Sequence, residues 1–122
     1  IGHHVLIVDD DKDSGELLAE YLAQHGIACH TAQNEVQALE LLEFDKSIGL
    51  LLTDLRMEPH DGLHLIRKVR ESPSAALPVI IMSGDAGVRD AIEAMHLSVV
   101  DFLLKPIDTD QLLALIRHEL NL

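Results

Sequence analysis

Apolar and polar positions along this chain alternate between two registers. Five short, almost unbroken apolar runs stand out: His4–Val8, Ile27–Ala32, Ile48–Asp54, Pro78–Ser83 and Val99–Leu104. Runs of this length, rich in Val, Ile and Leu and bounded by turn residues, fit strands covered on both faces, as in a parallel sheet. Between them the apolar residues recur at helical spacing. Leu17, Leu18, Tyr21 and Leu22 form one such set, with Asp11 as N-cap, Asp13 in the first turn and Gly26 just past the end. Gly15 interrupts it with a poor helix former, at about 1 kcal/mol against Ala. Val36, Ala38, Leu39, Leu41 and Leu42 form the next, capped by Asn34. Leu63, Leu65, Ile66 and Val69 follow a loop that contains Pro59, and Ser72-Pro73-Ser74 ends that segment. Val88–His96 predicts a short fourth helix with Ala91, Ile92 and Met95 inward. Leu112, Leu113, Leu115, Ile116 and Leu120 predict a last helix capped by Asp108 or Thr109. Five strands alternating with five helices predict an α/β fold: a doubly wound parallel sheet with right-handed crossovers.

The composition narrows the function classes. A chain of 122 residues is one domain with room for a core. No internal repeat is present. Asp and Glu outnumber Lys and Arg by 21 to 9, and a net charge of -12 argues against direct nucleic-acid binding, which needs a basic surface. The single cysteine, Cys29, excludes an internal disulfide and reads as a small core residue. No apolar run approaches the ~20 residues of a membrane span, and no signal peptide is evident, so the expectation is a cytoplasmic protein without membrane contact.

Sites in open parallel sheets form outside the carboxyl ends of the strands. Here those ends carry Asp9 and Asp10 (first strand), Asp54 (third), Ser83 (fourth) and Lys105 (fifth). Crowded carboxylates repel one another and drift toward protonation. A hard divalent cation such as Mg²⁺, which takes oxygen ligands and leaves room for phosphate oxygens, relieves that repulsion. Lys105 and the Ser83 hydroxyl suit phosphoryl oxygens. Together they suggest phosphoryl transfer to a carboxylate nucleophile. Each residue alone has a plainer reading as a cap, turn residue or loop hydroxyl; the convergence carries the functional one. His60 and His64, at i, i+4, could hold a metal together, but with no third ligand of matching type nearby they read as surface residues.

The motifs Val5-Leu6-Ile7-Val8-Asp9-Asp10-Asp11, Thr53-Asp54-Leu55-Arg56-Met57, Asp61-Gly62, Met82-Ser83-Gly84 and Asp101-Phe102-Leu103-Leu104-Lys105-Pro106 resemble those of response-regulator receiver domains of the chemotaxis-regulator type, the phosphoacceptor modules of two-component signalling. The resemblance runs from about His4 to the end. It implies a flavodoxin-like (βα)5 sheet in the order 2-1-3-4-5, which is the family's order and not one read from the periodicity. It implies a signalling module, not an enzyme beyond self-catalysed phosphotransfer and autodephosphorylation.

Residue by residue, the resemblance implies that Asp54 accepts the phosphoryl group. Asp10, Asp54 and the backbone carbonyl of Arg56 ligate Mg²⁺, with Asp9 holding it chiefly through water. Ser83 and Lys105 bind phosphoryl oxygens, Ser83 and Phe102 switch, and the Lys105–Pro106 peptide is cis. The implied partners are a sensor histidine kinase or phosphotransfer protein, an output domain or downstream protein met through the fourth helix, fifth strand and fifth helix, and a second copy of the chain on phosphorylation. Arg56 and Asp85, each two residues beyond a site residue, are expected to pair across the site mouth and tune phosphoryl lifetime. Residues 1–122 read as one receiver domain; the likeness of Asp54–Met57 and Ala91–Pro106 to receivers of transcription regulators favours excision from a longer regulator over a stand-alone protein.

Four positions depart from the family pattern: Gly15 for a long side chain, Glu58 for Pro, Ser98 for a helix-ending Gly, and Phe102 for a hydroxyl-bearing Tyr. Ser98 weakens the expectation of a left-handed cap there. Two other readings stay open on residues alone. One is a metal-dependent phosphohydrolase with an aspartyl nucleophile, although that class resembles an Asp-x-Asp pattern after the first strand and Leu55-Arg56 offers no acid. The other is a degenerate receiver acting as a binding module, against which the intact set Asp10, Asp54, Ser83 and Lys105 argues.

Overall fold

In a computed structural model, residues 2–57, 59–85 and 87–122 are described. Glu58 therefore lies outside the described residues. The elements are β1 (His4–Val8), α1 (Lys12–Gln24), β2 (Cys29–Ala32), α2 (Glu35–Phe44), β3 (Ile48–Asp54), α3 (Gly62–Arg70), β4 (Val79–Ser83), α4 (Val88–His96), β5 (Asp101–Leu104) and α5 (Thr109–Leu120). All strand pairs are parallel, in the order β2-β1-β3-β4-β5. This is the flavodoxin-like order expected from the family resemblance.

The pleat sorts the strand residues into two apolar layers. Leu6, Val8, Leu51 and Ile81 face one way and pack with Ala38, Leu65 and Ile66 of α2 and α3. Val5, Ile7, Leu50, Leu52, Ile80 and Met82 face the other way and pack with Leu22 of α1 and Leu112 and Ile116 of α5. Because both faces are covered, the runs are continuous instead of alternating. Leu50, Leu51 and Leu52 are fully buried, and full burial of such a side chain stabilises by roughly 1.5–3 kcal/mol.

The helices begin where short polar side chains can take the free N–H groups. Asp11 accepts from Asp13 and Ser14, Asn34 from Gln37, Asp61 from His64, and Asp108 from Asp110 and Gln111. Gly26 has φ of 82° beyond α1, where a side chain would be strained. Cys29 is half-buried in β2 at the sheet edge, and burial pushes its thiol pKa up to about 11.

Four expectations need correction. Ile92 and Met95 of α4 do not face inward: they are 48% and 75% exposed, whereas Ala94 is buried. Leu17 and Val36, placed on the apolar faces of α1 and α2, also lie on the surface. Ser98 does adopt the left-handed conformation, with φ of 58°. Arg70 holds it there, donating to the carbonyls of Leu97 (2.8 Å), Ser98 (3.3 Å) and Leu77 (2.6 Å). These contacts take the place of the glycine as the anchor of that helix end. The second and fifth strands are also shorter than the apolar runs, since Ile27, Ala28, Val99 and Val100 lie before the paired residues.

Candidate functional site

The chain winds from β1 outward to β2, then crosses back over β1 to β3. The β1 and β3 ends therefore flank the point where the strand order reverses, which is where a crevice opens in such sheets. Main-chain hydrogen bonds fix these ends in place. Asp9 donates its N–H to Ala32 at 3.0 Å, Leu55 to Met82 at 2.8 Å, and Lys105 to Ser83 at 2.7 Å.

Asp54 leaves β3 almost wholly buried, at 7% exposure, and Asp9 leaves β1 at 6%. Asp10 beside it is exposed. One carboxylate oxygen from each of Asp9, Asp10 and Asp54 lies within 4.8 Å of the other two. On the opposite flank the Lys105 ammonium donates to Asp54 Oδ2 at 2.9 Å. The Lys105–Pro106 peptide is cis. Asp9 is steadied by the Asp11 N–H, which donates to its Oδ1 at 2.9 Å. Burial pushes the Asp9 carboxyl above its ordinary pKa; the charges of Asp54 and Asp10 push the same way, and the Asp11 N–H and Lys105 pull against them. Three oxygen-donor carboxylates with crowded negative charge fit a hard divalent cation; an isolated ammonium on one side leaves part of that charge uncompensated.

Ser83 ends β4 fully buried. Its hydroxyl is turned onto its own loop: it donates to the backbone carbonyl of Asp85 and accepts from the Asp85 N–H. Phe102, in β5, is half-buried and packs against the α2–α3 side of the core. Arg56 lies exposed at the mouth. Its Nε donates to Asp85 Oδ1 at 3.2 Å and its Nη2 to Asp90 Oδ2, on the first turn of α4, at 3.0 Å. His60 and His64 stack with ring centroids 4.1 Å apart, and His64 Nδ1 lies 2.6 Å from Glu35 Oε1.

Two contributors were not identified from the sequence. Asp90 as a partner of Arg56 had no signal, because it depends on how α4 sits against the β3–α3 loop. Gly62 did have one, in the Asp61-Gly62 pair, but no role could be assigned. A Cβ on Gly62 would stand 2.4 Å from the carbonyl oxygen of Asp54. Only glycine lets α3 start this close to the site backbone. A cavity of about 780 Å³ opens beside the site between α1 and the loop after β5, lined by Leu17, Leu18, Tyr21, Lys105, Pro106 and Ile107.

Comparison with known proteins gives a consistent picture. Residues 5–117 match the family model described as the response regulator receiver domain. The chain is 35% identical over 117 residues to the DNA-binding transcriptional regulator NtrC of Escherichia coli, covering 96% of this chain and 24% of that protein. The chain thus spans about a quarter of the length of such relatives. It is 37% identical over 115 residues to an uncharacterised 14.6 kDa protein of Leptolyngbya boryana, covering 93% of this chain and 87% of that one. Among solved structures, a response regulator receiver protein from Pseudomonas putida superposes with a TM-score of 0.93 at 47% identity, covering 97% of this chain and 98% of the other. With this fold, these strand-end carboxylates and a family match over nearly its whole length, the chain belongs to the response regulator receiver domains of two-component signalling.

Proposed function

We propose that this receiver takes a phosphoryl group on Asp54 from a phosphohistidine of a sensor histidine kinase or phosphotransfer protein, and that the new charge reshapes the face formed by α4, β5 and α5. The observation that carries this reading is the placement of one buried carboxylate, Asp54, between the Lys105 ammonium at 2.9 Å and the carboxylates of Asp9 and Asp10.

Asp54 is the nucleophile. One of its oxygens forms the bond to phosphorus while the phosphorus–nitrogen bond of the donor imidazole breaks, and the imidazole nitrogen leaves with the electron pair and takes up a proton. Lys105 shifts from the Asp54 carboxylate to an oxygen of the transferred group, so its charge is already in place when negative charge builds there. Bound Mg²⁺ supplies charge neutralisation and orientation of the phosphoryl oxygens; Asp10, Asp54 and the carbonyl of Arg56 would hold it, with Asp9 behind. The cavity beside α1 gives the donor protein its approach, next to Lys105 and Asp9.

The product carries ~1.5–2 negative charges and new acceptor oxygens. The Ser83 hydroxyl leaves the Asp85 carbonyl and donates to one of them. Phe102 follows into the space released, and the α4–β5–α5 surface changes its packing, a shift between two arrangements biased by one charge event. The altered face then meets an output domain, a downstream protein or a second copy of the chain. Arg56 and Asp85 cover the mouth through which hydrolytic water must pass and slow loss of the group.

The test is incubation with Mg²⁺ and acetyl phosphate followed by intact mass. One added phosphoryl group, absent from Asp54→Asn, is the expected result; addition that persists in Asp54→Asn, or turnover of many different phosphate esters, contradicts it. Arg56→Ala and Asp85→Ala are expected to lose the group several-fold faster, and unchanged decay in both removes them from the lifetime role.

A further inference from the structure

Arg56 stands between two places that compete for it. On one side its guanidinium reaches toward α4: Nε donates to Asp85 Oδ1 at 3.2 Å and Nη2 to Asp90 Oδ2 at 3.0 Å. On the other side Arg56 lines a cavity of about 420 Å³ together with Asp10, Met57, Pro59 and Asp61. Asp10 belongs to the carboxylate cluster, so this cavity reaches the edge of the site. Arg56 also follows Asp54 by two residues, which limits the distance between their Cα atoms to about 7 Å. A side chain this long, rooted this near, can lie against α4 or against a group carried by Asp54.

The two acceptors of Arg56 are unequal. The Asp85 side chain is 78% exposed, whereas that of Asp90, in the first turn of α4, is 21% exposed. The Asp90 carboxylate is folded back over the helix start: a Cβ on Gly87, the N-cap, would meet its Oδ2 at 3.4 Å. Gly87 has no side chain with which to cap, so Asp90 supplies the negative charge that the amino end of a helix favours. One guanidinium thus joins the β3–α3 loop to the start of α4, where the Ala91 N–H donates to the Gly87 carbonyl at 3.2 Å. At the far end of α4, Arg70 grips the carbonyls of Leu97 and Ser98.

Charge decides which place Arg56 takes. Without a phosphoryl group, the Lys105 ammonium already occupies Asp54 Oδ2, and two carboxylates favour the outward position of Arg56. An aspartyl phosphate adds ~1.5–2 negative charges, with oxygens that a guanidinium can meet two at a time. A single-oxygen contact to a partly exposed carboxylate is the weaker of the two. The Ser83 hydroxyl leaves the Asp85 carbonyl in the same event, so both ties between the site and the start of α4 break together.

We propose that the Arg56–Asp90 pair is an autoinhibitory latch. It holds the first turn of α4 in the unphosphorylated arrangement and opens when a phosphoryl group on Asp54 draws the guanidinium inward, leaving α4 fastened at its Arg70 end. The latch rests on Asp54 as the phosphoacceptor, and it makes Asp90 a positioning residue that acts through Arg56.

The experiment is titration with beryllofluoride in excess Mg²⁺, followed by fluorine NMR; the reagent mimics a phosphoryl group on a carboxylate. Because the latch opposes binding, Asp90→Asn is expected to raise affinity about two- to fivefold, the factor that an ion pair of this exposure supplies. Asp90→Glu keeps the charge and is expected to bind as the wild type does. In an Arg56→Ala background, Asp90→Asn is expected to change nothing further, which separates the latch from an effect of charge on the helix alone. Amide exchange gives a second readout. Beryllofluoride is expected to speed exchange of the Ala91 N–H in the wild type, and Asp90→Asn to do so without it, while the Leu97 N–H holds its rate in both. Equal affinity of the wild type and Asp90→Asn, or the same gain in the Arg56→Ala background, overturns the latch and leaves the phosphoacceptor in place. Uptake that survives Asp54→Asn, or none by the wild type, overturns the phosphoacceptor reading itself, and the latch falls with it.

Discussion

Gly62 sets how closely α3 can approach Asp54, through a contact that involves no functional side chain. The Cβ of an alanine there would meet the Asp54 carbonyl oxygen at 2.4 Å, against backbone that has nowhere to retreat. Gly62→Ala is therefore expected to cost about 1–3 kcal/mol, as overpacking does, and to slow phosphorylation by acetyl phosphate through displacement of Asp54. Denaturant unfolding and the rate of mass gain check the two effects; unaltered stability with normal phosphorylation contradicts the contact. Asp9 makes the opposite case. It is buried, its pKa is raised, and its charge is opposed by Asp54 and Asp10. At neutral pH without divalent cation, ionised Asp9 works against folding. Asp9→Asn is expected to stabilise the cation-free protein by roughly 1 kcal/mol and to weaken Mg²⁺ binding. A lower melting temperature for Asp9→Asn in chelator would show that repulsion is not what governs this side chain.

At the scale of an element, α4 differs from the other helices in what holds it. Its apolar residues Ile92 and Met95 face out, and among the described residues Ala94 is the buried core position it supplies. Its attachments are arginines from the α3 side. Arg56 reaches Asp90 in the first turn, Arg67 pairs with Glu93 in the middle, and Arg70 takes the carbonyls of Leu97 and Ser98 at the end. Exposed ion pairs contribute ~0–1 kcal/mol each and are screened by salt, whereas hydrogen bonds from a charged donor contribute ~1.5–3 kcal/mol. Arg70 should thus be the principal anchor. Arg70→Ala is expected to cost about 2 kcal/mol and to abolish slow amide exchange in α4 before any other helix. Arg70→Lys should rescue little, since one ammonium cannot serve several carbonyls in fork geometry. Exchange in α4 no faster than in the wild type would mean that apolar contacts hold it after all. This is also why the helix was misread from sequence. A short helix with Ile92 and Met95 one turn apart announces an apolar stripe, but nothing in the pattern says that the stripe faces solvent. That is decided by three arginines distant in the chain.

For the whole molecule, the candidate chemistry gathers at the carboxyl ends of the strands. Strand residues and the carboxyl-end cluster were legible because these residues stand where an apolar run turns polar: Val8 to Asp9, Leu52 to Thr53-Asp54, Leu104 to Lys105. Cross-chain geometry was not legible. The turn of the Ser83 hydroxyl onto Asp85 and the reach of Arg56 to Asp90 both depend on register and on how loops meet, which periodicity does not encode. The carboxyl end is expected to show itself in bulk stability. Mg²⁺ at 100 times its dissociation constant should stabilise the fold by about 2.7 kcal/mol, visible as a higher melting temperature that is diminished in Asp54→Asn. No shift at millimolar Mg²⁺ would count against cation binding by these three carboxylates.

The edge strand β2 carries the lone thiol, and that gives the domain a built-in stopwatch. With a pKa of about 11, only about one molecule of Cys29 in a thousand is thiolate at pH 8, and thiolate is the reactive form. Once β2 peels away from β1, the thiol returns to the ordinary range and reacts far faster. Labelling by a disulfide reagent therefore times the fraying of one strand, with no engineered probe and no second cysteine to confuse the trace. Anything that fastens that border should lengthen the interval.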